Sequence, residues 1–378
     1  MKVALVCPYN IGSGSGVFEI IKELHRGMVD RGHDAVILTP QPRDSVTLAP
    51  EHVIFLGGGT EIRSPTHTTL QVSATVDTDA INEVLEREKF DIIHFHEPWV
   101  PVLSRQILSR SRSINIATFH GVVPETMVSR TVARVVTPYA LSIIKYIHEF
   151  TAVSDAASDY IRSLTDNPVT IIPNGIDLNC YHPLTLARPE PKRKYNILFI
   201  GRLERRKGLN YLLRAYSLLE KRLKNLSLII AGHGPDMEKL KLLSRNLGIK
   251  SVVFKGYVDD RTKLNLLQRA DLFCSPALYG ESFGIVLLEA MATGAVSIVG
   301  NNKGYDALMS GLGQLSVINP RDVPEFTRRM ELLLVNRQLR ELWKDWAVDY
   351  VQQYDYPKII DEYEDLYQRA IRKYGRTT

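Results

Sequence analysis

The sequence predicts an α/β chain of two doubly wound, Rossmann-like domains, and three observations carry that prediction. The chain has 378 residues, whereas single hydrophobic cores stop growing at about 250–300 residues. Short runs that are apolar throughout, such as Val3-Ala4-Leu5-Val6-Cys7, alternate with helical stretches. A strand without polar alternation is one covered on both faces, as in a parallel sheet. A glycine-bearing handover from strand to helix then occurs twice, at Gly12, Gly14 and Gly16 and again at Gly201 and Gly208.

Composition narrows the function classes. At 44% hydrophobic and 24% charged the chain is ordinary for a globular protein. A formal charge of +5 allows attraction to a nucleotide or to anionic lipid but is too mild to point to nucleic acid. No run of 18 apolar residues occurs, and Met1-Lys2 passes directly into a strand, so neither a spanning helix nor a signal peptide is expected. Cys7, Cys180 and Cys274 stand singly in apolar settings and read as reduced core residues. A cytoplasmic protein is expected, with any membrane contact peripheral, on the inner face.

In order, the first strand (3–7) leads into Tyr9-Asn10-Ile11-Gly12-Ser13-Gly14-Ser15-Gly16 and a helix over 17–31. The spacing departs from Gly-x-Gly-x-x-Gly, and no acidic residue follows the next strand (35–38), so NAD is not expected. The turn is either a flexible connection or a close backbone approach to an acceptor or phosphate. Strands at 53–56, 91–95 and 114–119 and a helix at 79–88 continue the alternation. Ligands of such sheets gather outside the carboxyl ends of the strands, which here hold His96-Glu97-Pro98 and Thr118-Phe119-His120-Gly121. His120 is thereby a candidate site residue. A helix over 126–149 carries Arg130, Arg134 and Lys145, either a solvated face or one that meets anionic head groups. Strands at 151–153 and 169–172 bracket Ser154-Asp155, a helix cap, and lead to the turn Pro173-Asn174-Gly175-Ile176-Asp177. The stretch 183–194, rich in proline and basic residues, reads as the linker. The expected division is 1–183, 195–353 and a terminal helix in 354–378.

The second domain opens with a strand at 196–200 and Gly201-Arg202-Leu203-Glu204-Arg205-Arg206-Lys207-Gly208. Arg202 and Lys207 are placed to converge on a diphosphate, one as a fork and one as a point charge; the alternative is an exposed basic loop. Strands at 228–231 and 252–254 end in Gly232-His233-Gly234-Pro235 and Gly256-Tyr257-Val258-Asp259-Asp260, and a helix and a strand at 272–275 follow. Residues 280–294 then read Gly-Glu-Ser-Phe-Gly-Ile-Val-Leu-Leu-Glu-Ala-Met-Ala-Thr-Gly. From Ile285 this is a buried helix, and its N-terminus, after Ser282 and Gly284, suits a phosphate. Glu281 lies before that helix and Glu289 on it, roughly 10 Å or more apart at a rise of about 1.5 Å per residue. Nucleophile and acid of a retaining glycosidase sit about 5 Å apart, so this spacing suits carboxylates that hold the hydroxyls at two ends of one ligand. After a strand at 296–299, the tail over 322–373 is helical with a break near Pro357, and its last helix covers 359–373.

Two glutamates separated by seven residues, in the setting Gly280-Glu281-Ser282-Phe283-Gly284-Ile285-Val286-Leu287-Leu288-Glu289, resemble the signature of retaining glycosyltransferase family 4. The likeness extends over nearly the whole chain, including Val6-Cys7-Pro8-Tyr9, His96-Glu97-Pro98, Ala117-Thr118-Phe119-His120 and Ile172-Pro173-Asn174-Gly175. Within that family the wording is most similar to a mannosyltransferase branch. The resemblance implies two Rossmann-like domains facing a cleft (GT-B), with the C-terminal helix crossing back to the first domain. It implies a retaining hexosyltransferase that needs no cofactor and no metal and uses a nucleotide sugar, GDP-mannose in preference to a UDP-sugar. A lipid-linked or glycan acceptor is implied, together with peripheral contact with anionic membrane and no nucleic-acid partner.

By the same resemblance, Arg202 and Lys207 hold the pyrophosphate, Glu289 the ribose and Glu281 the sugar hydroxyls, while His120 touches the sugar near the reacting carbon. Asp260 and Lys263 lie at the base. Gly16, Gly232, Val258, Phe283, Gly284, Ile285 and Val286 complete the donor contacts, and Tyr9, Asn10 and His120 contact the acceptor. The leaving diphosphate takes the acceptor's proton on the same face, so that no protein nucleophile is required. Asp77-Thr78-Asp79 spells the Asp-x-Asp of metal-dependent transferases but reads as a helix cap. Two other classes share this architecture or its ligand. A phosphorylase of this architecture needs a lysine for pyridoxal phosphate in a motif that the chain lacks, and a non-catalytic nucleotide-sugar binder has no need of the full set His120, Arg202, Lys207, Glu281 and Glu289.

Overall fold

The computed structural model describes residues 1–9, 16–41, 52–63, 69–75, 77–122, 130–184 and 194–375. The chain forms two compact units, one of Met1–Gly175 with Tyr356–Thr378 and one of Ile176–Asp355.

The first unit runs β1 (Lys2–Val6), α1 (Gly16–Asp30), β2 (Asp34–Gln41), β3 (Val53–Arg63), β4 (Thr69–Thr75), α2 (Thr78–Glu88), β5 (Ile92–His96) and α3 (Leu103–Leu108). It continues with β6 (Ile114–Phe119), α4 (Arg130–Ile144), β7 (Glu149–Ala152), α5 (Asp155–Arg162) and β8 (Val169–Ile171). Its sheet has the order β4-β3-β2-β1-β5-β6-β7-β8. All neighbours pair in parallel except β3 and β4. Chain order reverses between β1 and β5, the point at which such sheets open a crevice. The apolar strands are buried on both faces, as their composition requires.

The second unit contains β9 (Tyr195–Ile200), α6 (Leu209–Arg222), β10 (Leu226–Ala231), α7 (Met237–Asn246), β11 (Val252–Gly256) and α8 (Asp260–Arg269). After these come β12 (Leu272–Ser275), α9 (Ile285–Ala292), β13 (Val296–Gly300), β14 (Val317–Ile318), α10 (Val323–Val335) and α11 (Arg337–Tyr350). The sheet is parallel in the order β11-β10-β9-β12-β13-β14, with its reversal between β9 and β12.

The last helix, α12 (Tyr356–Tyr374), belongs to the first unit. Its spacing of apolar residues sets Ile359, Ile360, Tyr363, Leu366, Tyr367 and Ala370 on one buried face, in one core with Val3, Leu5, Ile21 and Leu24. Burying each large apolar side chain contributes about 1.5–3 kcal/mol. Gly27 of α1 lets the helices approach, since a Cβ there would stand 2.2 Å from Ile360 Cδ1.

Several expectations need correction. The first unit ends at Gly175, not near 183, because the chain after the turn at Asn174 already pairs with the second unit, Ile176 donating to the Tyr354 carbonyl at 2.9 Å. The proposed linker falls mostly on residues outside those described. The strand at 53–56 is longer and carries an antiparallel partner, β4, that the sequence did not announce. The helix at 126–149 runs as α4 and stops at Ile144, so Lys145 lies beyond it, while β7 begins at Glu149. Cys7 and Cys274 are buried, but Cys180 is exposed on irregular chain after that turn. Asp77 and Ser154 do cap helices: Asp77 accepts from the amides of Asp79 and Ala80, and Ser154 from that of Ala157.

Candidate active site

At the carboxyl ends of β9 and β12, a short 3-10 turn (Arg205–Lys207) lies against the 276–284 loop. Leu278 N–H donates to the Arg206 carbonyl at 2.7 Å. Glycines make this approach possible: a Cβ at Gly208 would stand 2.0 Å from the Pro276 carbonyl oxygen, and one at Gly232 1.9 Å from that of Gly201. The packing fixes Glu281. Its Oε1 accepts from Arg206 Nη1 at 2.8 Å and lies 2.6 Å from Lys207 Nζ. Arg206 also donates to the Gly280 carbonyl at 3.0 Å and, through Nε, to Glu204 Oε2 at 2.8 Å. Arg202 pairs with Glu204 at 2.9 Å. Thus Arg202 and Lys207 flank the same turn but engage different carboxylates. Arg206, which sequence reasoning passed over in favour of its neighbours, is the residue that joins Glu204 to Glu281. Its only signal is membership of the run Glu204-Arg205-Arg206-Lys207.

Gly284 caps α9 in the left-handed conformation (φ 96°) and, as a glycine, offers the helix's first amides no side-chain oxygen of its own. A Cβ at Gly304 would stand 2.0 Å from the Glu281 carbonyl oxygen, so the 302–305 turn seals the loop from below. Ile285 and Val286 are half-buried in the first turn of α9. Phe283 requires a correction. Its side chain is fully buried and packs edge-on against Tyr354, with 5.7 Å between ring centroids, so only its backbone is free to meet a donor.

Farther along α9, Glu289 is 6% exposed and accepts from Lys263 Nζ at 2.8 Å. Burial lifts the Glu289 carboxyl against the pull of that ammonium. Burial likewise opposes the charge of Lys263, but the Glu289 carboxylate and its hydrogen bond outweigh it and raise the lysine. The second oxygen of Glu289 is buried without a hydrogen-bond partner. An unpaired buried carboxylate oxygen costs free energy, and the hydroxyl of a ligand would satisfy it. The Tyr181 ring lies under Lys263, 5.7 Å from the ammonium. No local pattern marks Tyr181, which reaches α8 only through folding. Asp260, with its side chain 91% exposed, stands 3.2 Å from Lys263, and Asp259 accepts from the Thr262 amide as the cap of α8. Val258 is half-buried beside them.

In the first unit, β5 and β6 end in register, His96 opposite Thr118. His120 follows β6 and is 5% exposed; its Nε2 lies 2.9 Å from His96 Nδ1, and the two rings stack at 5.1 Å. Burial pushes His120 and His94 down to about 3, and His96 well below its usual value. Burial thus favours the neutral form of all three rings. Glu97 has a left-handed backbone (φ 51°) and turns its carboxylate under the turn that follows β6. Its Oε1 accepts from the His120 amide at 2.5 Å and from the Gly121 amide, while burial pushes it up to about 7 against those two donors. Tyr9 stands near Glu97; burial and that carboxylate raise its phenol. Gly16 is the exposed first residue of α1, and Asn10 lies outside the described residues.

Comparison with known proteins places the chain in a family. A model described as "Glycosyltransferase Family 4" matches residues 14–179, and one described as "Glycosyl transferases group 1" matches 187–347. The chain is 29% identical to the phosphatidyl-myo-inositol mannosyltransferase of Mycolicibacterium smegmatis over 97% of its own length and 94% of the relative's. It is 30% identical to the protein of that name from Propionibacterium freudenreichii subsp. shermanii, over 81% of this chain and 78% of the relative. Among solved structures it is similar to sucrose-phosphate synthase from Thermosynechococcus elongatus (TM-score 0.79, 17% identity, 99% of this chain and 100% of that one). It is also similar to Anabaena HepE in complex with UDP and glucose (TM-score 0.76, 17% identity, 97% of this chain and 99% of that one).

Proposed function

Because this chain belongs to the group 1, family 4 glycosyltransferases, with the GT-B fold, we propose that it transfers a mannosyl group from GDP-mannose, with retention, to a lipid-linked or glycan acceptor. The observation that carries this reading is the pair of lysine-held carboxylates on either side of the first turn of α9, Glu281 with Lys207 and Glu289 with Lys263. Glu281 is fixed as an acceptor for sugar hydroxyls, and the orphaned oxygen of Glu289 suits those of a ribose. Between them the first turn of α9, with Arg202 and Lys207 nearby, suits the diphosphate. Catalysis is positioning plus offsetting of the charge that grows on the leaving diphosphate, which takes the acceptor's proton. Exposed Asp260 is free to meet a guanine. The mannosyltransferase relatives favour this sugar, and Lys145, exposed beyond α4, is one basic group for an anionic membrane.

The test is a thermal-shift titration with GDP, UDP and ADP, since a ligand that binds only the folded state raises the melting temperature by mass action. Preference for GDP supports the reading; preference for UDP overturns the donor assignment while leaving the transferase. The UDP-sugar alternative rests on the fold shared with the HepE complexes of UDP and UDP-glucose. Because the charges invoked all belong to side chains and a helix terminus, transfer should be unchanged by excess EDTA; loss that Mg²⁺ or Mn²⁺ restores would reject this mechanism.

A further inference from the structure

Period-two alternation puts His94 and His96 on one face of β5, with Thr118 and His120 beside them, under Tyr363 and Tyr367 of α12. The Thr118 hydroxyl meets that of Thr151 and lies 2.6 Å from His94 Nε2, and His94 Nδ1 lies 2.7 Å from the Tyr367 hydroxyl. Both nitrogens of His94 are used. His96 and His120 differ, since His96 Nδ1 and His120 Nε2 share a single hydrogen, and His96 Nε2 and His120 Nδ1 are buried without partners.

A neutral pair carries two ring protons, one in the shared bond and one on an outer nitrogen. If His120 donates, the spare proton sits on His96 Nε2, in a residue 0% exposed whose ring packs, tilted, against His94 with 4.2 Å between centroids. If His96 donates, the spare proton sits on Nδ1 of His120, past the carboxyl end of β6, where sheets of this kind receive ligands. A buried N–H without an acceptor is rarer and costlier than a bare lone pair. The second arrangement therefore places the demanding group where a ligand can satisfy it. We propose that His96 is a positioning residue that donates from Nδ1 to His120 Nε2 and so presents His120 as a neutral Nδ1–H donor to an oxygen of a ligand. His120 is then a hydrogen-bond donor and not a general base. No cation pairs with either ring among the described residues, and Glu97 engages backbone amides of this turn, not the rings.

The proposal deepens the glycosyl-transfer reading and rests on it for the activity readout alone. The full-length protein, labelled with ¹⁵N-histidine, is examined by long-range ¹H–¹⁵N NMR with GDP and with GDP-mannose. His120 and His96 should both carry hydrogen on Nδ1. His120 protonated on Nε2 in the complexes overturns the proposal, whether or not transfer is observed. In kinetics, His96→Leu should lower kcat about tenfold or more, the worth of one buried hydrogen bond. It should also free His120 to carry its hydrogen on Nε2, read in the same spectra. His96→Asn, with an amide donor near the position of Nδ1, should restore both the rate and the Nδ1 hydrogen. An unchanged rate and tautomer in His96→Leu would sink the idea, and if that variant does not fold, the tautomers of the unmodified protein decide. Absence of transfer from the unmodified protein with either GDP-mannose or a UDP-sugar would reject the proposed function and leave the NMR result standing.

Discussion

Glu281 and Glu97 are both carboxylates at the ends of strands, yet their surroundings give them opposite tasks. Glu281 is held by Arg206 and Lys207 as an acceptor. Glu281→Gln should therefore reduce turnover about 10²-fold or more, in the range for loss of one preorganised electrostatic contact. The thermal shift with nucleotide should survive, and if turnover survives too, the role of Glu281 is wrong. Glu97 supports a turn, and with the histidines it sets the response to pH. A carboxyl raised to about 7 stabilises the fold below the ordinary carboxylate range and loses that contribution as pH rises toward 7. Histidines lowered to about 3 act in the other sense: below about 6.5 the unfolded chain takes up protons that the folded one refuses. Three such rings outweigh one carboxyl. Stability should fall by roughly 2–3 kcal/mol per pH unit below about 6, and urea unfolding from pH 7.5 to 5 would measure it; a flat or rising stability would contradict the neutral histidine cluster. Tyr181 and Arg206 were not legible in the sequence because what selects them is a tertiary neighbour, whereas Glu289 was, because it interrupts an otherwise apolar helix.

Among the elements, β1, β5, β6, β9 and β12 could be read from sequence because a strand buried on both faces needs no partner to reveal its composition. The β3–β4 pair could not. It begins at Gly57-Gly58-Gly59, where β propensity is weakest, and is defined by antiparallel pairing, Gly59 opposite Ser73 and Ile62 opposite Leu70. The fifteen residues from Gly280 to Gly294 stand out because loop, helix start and helix end each carry their own local signal; the turn of Arg205–Lys207 that completes the site does not, since glycines 208 and 232 matter through what they allow to approach. Helix α12 was visible as an amphipathic stripe, and its place follows from the face it must cover. Leu366→Ala, at a position 3% exposed in that face, should cost about 2–5 kcal/mol in chemical denaturation. A cost under about 1 kcal/mol would mean that α12 is not part of the core.

For the whole molecule, two sheets with separate cores imply two cooperative blocks. Differential scanning calorimetry should resolve two transitions, and GDP should raise the one that belongs to Ile176–Asp355, because Lys207, Lys263, Glu281 and Glu289 all lie there. A single transition, or a shift of the other block alone, would reject that assignment. The return of α12 also has a consequence for biosynthesis. Domains emerging from the ribosome at about 5–20 residues per second fold as they are completed. The first unit of this chain is begun first and finished last, since Tyr356–Thr378 follows all of Ile176–Asp355. The nascent sheet of β1 to β8 must then wait, with the surface that Ile359, Tyr363, Leu366 and Tyr367 will cover still open to water, for roughly 10–40 seconds at that rate. During that interval it is exposed to aggregation, while Ile176–Asp355 is already able to fold.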